Sequence, residues 1–84
     1  MYIIEDECFL GMTKLIEKSV PIDKVSEKVR EYVKEHYVGL GLYHKLTIDE
    51  EQNRVVYDFG SHYDFIIVKP KNFKVDHTEI GKFI

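Results

Sequence analysis

Leu42-Tyr43-His44-Lys45-Leu46-Thr47-Ile48, Val55-Val56-Tyr57-Asp58-Phe59 and Tyr63-Asp64-Phe65-Ile66-Ile67-Val68 decide the fold. In these three runs the hydrophobic period is two, and polar loops separate them, which is the signature of neighbouring antiparallel strands. Pairing Asp49 with Arg54 across the Glu50–Asn53 loop sets Ile48 opposite Val55, Leu46 opposite Tyr57 and His44 opposite Phe59, so apolar side chains meet apolar ones. A three-residue turn at Gly60, Ser61 and His62 then predicts Phe59 opposite Tyr63, Tyr57 opposite Phe65 and Val55 opposite Ile67. The result is a three-stranded antiparallel meander with one apolar face.

Upstream, Ile22, Val25, Val29, Tyr32, Val33 and His36 recur at intervals of three and four behind Pro21, which predicts an amphipathic helix with a charged solvent face. Gly39 or Gly41 ends it. Before that helix the pattern is ambiguous. Tyr2–Ile4 reads as a short extra N-terminal strand, and Cys8, Phe9, Met12, Leu15 and Ile16 fit a helix over Glu7–Ser19, but Gly11 is costly in a helix interior and residues 2–12 also read as a hairpin. At the other end, Asp76 followed by Glu79 predicts a short capped C-terminal helix, with Val75 and Ile80 as its hydrophobic staple. The expected class is α+β, in which one or two helices pack on one face of the meander within a single domain, residues 1–84.

Composition limits what such a domain does. The 84 residues carry 12 Lys+Arg against 15 Asp+Glu, a formal charge of -3. A nucleic-acid partner is disfavoured, because phosphate neutralisation needs net positive charge. With one cysteine, Cys8, an internal disulfide is excluded, and core packing must supply stability. The apolar runs fall far short of the roughly 20 residues that cross a bilayer. Glu5, Asp6 and Glu7 interrupt any signal-peptide pattern, so the expectation is a soluble, cytoplasmic chain with no membrane association.

The predicted register places Lys45, Asp58 and Asp64 in one row on the outer sheet face, with two carboxylates close enough to compete for a proton. His62, in the following turn and four residues from Asp58, is the candidate general base beside Asp58 and Asp64. His44 is expected on the apolar face and Cys8 in the core. The four histidines make no zinc-type spacing, so neither metal nor cofactor is expected. Tyr43 and Lys45 face outward together and suit contact with a partner. Ile66 and Val68 also fall on the outer face, where the N-terminal segment, the tail or a second subunit must cover them.

The order strand, two helices, meander, with Arg54-Val55-Val56-Tyr57 leading into an apolar strand, is similar to the ribonuclease toxins of bacterial toxin–antitoxin systems. The order helix, three strands, helix resembles a double-stranded RNA-binding domain. Both resemblances imply RNA contact through clustered basic groups, whereas this chain has two arginines, Arg30 and Arg54, and no basic patch by its last helix. The expectation is therefore a non-catalytic protein-interaction module. It would be a small regulator or inhibitor, of the kind phages and mobile elements carry, that binds a protein partner or a second copy of itself through a sheet face or edge strand. The alternative is a small hydrolase or nuclease that uses His62 with Asp58 and Asp64.

Overall fold

The computed structural model describes residues 1–8, 10–37, 39, 45–61 and 63–84. Among them lie strands β1 (Tyr2–Cys8) and β2 (Thr13–Val20), helix α1 (Ile22–His36), strands β3 (Lys45–Asp49), β4 (Arg54–Asp58) and β5 (Asp64–Pro70), and a 3-10 helix (His77–Phe83). All five strands form one antiparallel sheet in the order β2-β1-β5-β4-β3. The α+β class stands, and the three-stranded meander grows to five strands.

The helix expected over Glu7–Ser19 is a hairpin arm. Gly11 accounts for it: the Gly11 N–H donates to Cys8 O (2.8 Å), the Cys8 N–H donates to Met12 O (2.8 Å), and Gly11 sits at φ +85°. A turn closed by a left-handed residue joins two strands at close range, and glycine takes that conformation without a Cβ penalty. The hairpin forms and extends beyond residue 12, since β2 runs on to Val20. The helical spacing arose by coincidence, because Met12 belongs to the loop and is exposed.

Helix α1 forms where the periodicity places it and buries Val25, Val29 and Val33 against the sheet, each contributing roughly 1.5–3 kcal/mol. The β3–β4 register also matches the expected pairs, Asp49↔Arg54, Ile48↔Val55 and Leu46↔Tyr57; the expected His44–Phe59 pair lies outside the described residues.

The β4–β5 register differs by one residue, with Val55 opposite Val68, Val56 opposite Ile67 and Tyr57 opposite Ile66. A slip of one turns every side chain of β5 to the other face. Ile66 and Val68 therefore lie buried in the core beside Tyr2, Ile4, Val55 and Tyr57, and Phe65 and Ile67 face outward. Because β5 is apolar on both faces, its pattern could not choose between the two registers. The link is instead fixed by polar contacts: Asp58 Oδ1 accepts from the Gly60 N–H (3.0 Å), and Ser61 Oγ accepts from the Tyr63 and Asp64 N–H groups. Strand β5 is also central, paired with β1 and β4, so it is not an edge at which a second subunit could add.

At the C-terminus, Asp76 caps the 3-10 helix by accepting from the Thr78 N–H (2.9 Å). Ile80 stays exposed, so the expected staple with Val75 does not form. The anchor is Phe83, which is fully buried, lies edge-on to Tyr2 (5.5 Å between ring centres) and accepts the Tyr57 hydroxyl at its carbonyl (2.5 Å). Phe83→Ala is expected to lower stability by about 3–5 kcal/mol in urea unfolding, and Ile80→Ala by less than about 0.5 kcal/mol. Equal losses would mean that the tail is not anchored through Phe83.

Candidate functional site

Asp6 breaks the apolar row of β1. Tyr2, Ile4 and Asp6 alternate onto the helix-facing side, and Asp6 is buried there with 6% of its surface exposed. Strand pairing sets Asp6 opposite Ile66 and Cys8 opposite Asp64, so the two carboxyl groups are diagonal neighbours on one face. The end of α1 lies above them. Tyr32 donates its hydroxyl to Asp6 Oδ2 (2.8 Å). The hydroxyl of Tyr37, the residue that caps α1, lies 2.5 Å from Asp6 Oδ2 and 2.7 Å from Asp64 Oδ2.

Each group responds to that confinement. Hydrogen bonding to Asp6 is the first cause holding the Asp64 carboxyl above the ordinary carboxylate range; burial and the charge of Asp6 act in the same direction, and the Tyr37 hydroxyl opposes them. Burial, then hydrogen bonding to the carboxylates, raises both Tyr32 and Tyr37, so both stay neutral hydrogen-bond donors. The negative end of the α1 dipole adds to the cost of a second carboxylate charge here. The Tyr37 ring packs on Phe59 (4.7 Å between ring centres) and the Tyr32 ring stacks on His36 (4.1 Å), which holds both hydroxyls in place.

The sequence-derived candidates are scattered by comparison. Lys45 stands opposite Asp58 as expected, but Asp58 is on the outer face and Asp64 on the inner one, so the row of Lys45, Asp58 and Asp64 does not form. His62, His44 and Tyr43 lie outside the described residues. Cys8 is half-buried beside Asp64. Ile66 and Val68, expected to offer a binding surface, are sealed in the core. The outer face is closed differently: Arg54 on β4 reaches Glu7 on β1 (3.2 Å) diagonally across β5, Lys69 pairs with Glu5 (2.8 Å), and Ile67 beneath them is 1% exposed.

Glu50, Asp76 and His77 each bring one ligand atom within 4.8 Å of the others. All three are exposed and already engaged, with Glu50 Oε2 accepting from the His77 N–H (3.2 Å) and Asp76 Oδ1 capping the 3-10 helix.

Removing the Tyr37 hydroxyl takes the donor from the half-buried Asp64 Oδ2 and leaves the buried Asp6 Oδ2 with Tyr32 alone, so Tyr37→Phe is expected to cost about 1–3 kcal/mol at neutral pH by urea unfolding. The loss should be smaller in acid, where a protonated Asp64 donates to Asp6 directly; an equal loss at both values would separate Tyr37 from the carboxyl pair. Against known proteins, the chain matches no family model, no curated sequence and no solved structure.

Proposed function

We propose that the chain is a small protein-interaction module, a regulator or inhibitor without a catalytic step, and that it meets its partner through the tip of the β1–β2 hairpin. The supporting observation is the exposure of apolar side chains at and beside the hairpin turn: Leu10 and Met12 are each 69% exposed, and Leu15, farther along the edge strand opposite Glu5, is 49% exposed. Side chains of this size leave water favourably when a complementary surface covers them, and contiguous apolar surface on a small domain commonly marks a contact site. Lys14 and Lys18 lie on the same edge strand, so the partner best suited to it has an apolar groove with an acidic rim.

Backbone pairing at this edge is less favourable than side-chain contact. The β1–β2 ladder shifts register between Tyr2 and Ile4 and again between Ile4 and Glu5, and lysines on an edge strand discourage a further strand. Lys45, expected to mark the contact together with Tyr43, lies on β3 at the opposite edge of the sheet. The hydrolase alternative has less support from the described residues, since Asp58 and Asp64 face opposite sides of the sheet.

A photocrosslinking amino acid at position 12, compared with one at position 82, tests the reading in a lysate of the source cells. Substituting Leu10, Met12 and Leu15 by serine is expected to leave the urea midpoint nearly unchanged and to weaken binding of the crosslinked partner at least about tenfold, the equivalent of roughly 1.4 kcal/mol. A partner bound equally by the triple variant would overturn the assignment of the hairpin tip, and a crosslink to a second copy of the chain would replace the hetero-partner by self-association.

A further inference from the structure

We propose that Asp6, Tyr37 and Asp64 form a proton-binding site, in which one proton shared by the two carboxyl groups clamps the C-terminal end of α1 to β1 and β5, and release of that proton to solvent loosens the clamp. The inference is independent of the hairpin-tip reading and concerns a different part of the molecule.

Two observations carry it. The first is a count of hydrogens. The Tyr37 hydroxyl touches an oxygen of each carboxyl group, 2.5 Å from Asp6 Oδ2 and 2.7 Å from Asp64 Oδ2, and it has one hydrogen to give. If both carboxyl groups were ionised, one of those contacts would bring a lone pair against a lone pair. A proton on Asp64 removes the conflict: Asp64 donates to the Tyr37 oxygen, Tyr37 donates to Asp6 Oδ2, and Tyr32 donates to the same oxygen. The second observation is the other oxygen of Asp6. Oδ1 is buried and has no hydrogen-bond partner among the described residues, which supply neither a donor nor a positive charge there. A proton fits better than a metal ion, because no third His, Cys, Asp or Glu gathers with Asp6 and Asp64 among the described residues.

Among the described residues, no cation pairs with either carboxyl group. Lys14 stands opposite Asp6 on β2 and is exposed. On α1, His36 stacks on Tyr32 and is exposed, while Glu35, Glu31 and Lys28 line the groove beside Tyr32 with Glu17 of β2, which Lys28 already engages (3.9 Å). Cys8 is opposite Asp64, and the Ser61 hydroxyl accepts from the Asp64 N–H.

Carbon-detected NMR of the aspartate carboxyl carbons, followed from about pH 3 to about pH 8, reads the site directly. Asp64 is expected to titrate clearly above the ordinary aspartate value of about 3.9, and the ring resonances of Tyr37 and Tyr32 should move with the same midpoint. The sign for stability follows. A carboxyl group that binds its proton more tightly when folded contributes stability that is full below the unfolded value and is lost as pH rises through the folded one. Asp64→Asn keeps a donor toward Tyr37 but cannot ionise. Its urea midpoint is therefore expected to rise relative to the wild type as pH increases across this range, and its tyrosine resonances should stop moving.

Titration of Asp64 at the ordinary value would overturn the proposal. So would tyrosine movement that persists unchanged in Asp64→Asn, which would point to a histidine; His36→Gln, His44→Gln and His62→Gln then identify it. Should Asp64→Asn fail to fold, the wild-type titration repeated with calcium chloride decides. An unchanged Asp64 midpoint supports the shared proton, and a midpoint that falls with calcium means that the cluster is a cation site.

Discussion

Because β1 lies antiparallel to β5 over its whole length, from Tyr2 opposite Pro70 to Cys8 opposite Asp64, the central strand of the sheet is paired with a strand from the opposite end of the chain. Ile4, Ile66 and Val68 form the buried centre of that contact, and α1 is laid across it. Every other element takes its place from this ladder. β2 follows β1 through the Gly11 turn, β4 and β3 extend the sheet from the far side of β5, and Phe83 returns to the core against Tyr2. The same ladder sets Asp6 and Asp64 side by side, so the feature with the most chemistry is a direct consequence of the contact that holds the fold together. Pairing of distant segments is entropically costly to establish. A change that weakens β1–β5 pairing should therefore disturb the carboxyl cluster and the core together.

The parts of this architecture that were legible in the sequence are those specified by local periodicity. Helix α1 could be read from Val25, Val29 and Val33 because their spacing fits one face of a helix and nothing competes with it. The β3–β4 register could be read because Leu46 and Ile48 alternate with polar residues, so only one pairing buries them. Where a segment is apolar on both faces the information is missing. Phe65-Ile66-Ile67-Val68 satisfies either register, and the choice between them falls to the Asp58 and Ser61 contacts in the preceding loop and to β1 on the far side, a strand from the other end of the chain. The N-terminal hairpin was obscured for a related reason, since Leu15 and Ile16 are adjacent and the ladder is irregular there.

The β4–β5 register also decides what the two sheet faces mean. Ile66 and Val68 need no second subunit, because α1 and the 3-10 helix belong to the layer that covers them. The opposite face needs no complete second layer either. Arg54 and Glu7 close over Ile67, and the aliphatic stems of Arg54 and Lys69 supply cover that their charged ends could not. A single helical layer is thus enough for a five-stranded sheet of this size. The most exposed apolar side chains are Leu10 and Met12 at the hairpin turn, and Met1, Tyr63, Phe73, Ile80 and Ile84 are exposed elsewhere.

Asp6 shows most clearly how a site can be hidden in a sequence. As one of three consecutive acids, Glu5, Asp6 and Glu7, it resembles ordinary surface charge. Once β1 is known to extend to Cys8, the period of two separates them: Glu5 and Glu7 point outward to Lys69 and Arg54, and Asp6 points inward behind Tyr2 and Ile4. A carboxylate at an inward position is expensive unless hydrogen bonds or protonation offset its desolvation, and an apolar residue there would pack at lower cost. Tyr32, Tyr37 and Asp64 provide that compensation from α1 and β5. A residue that contradicts the local pattern while gathering partners from distant segments is the kind of exception expected at a functional site rather than in a core optimised for stability alone. The informative sequence signal was therefore the position of Asp6 in the alternation, which becomes visible only after the strand's length is established.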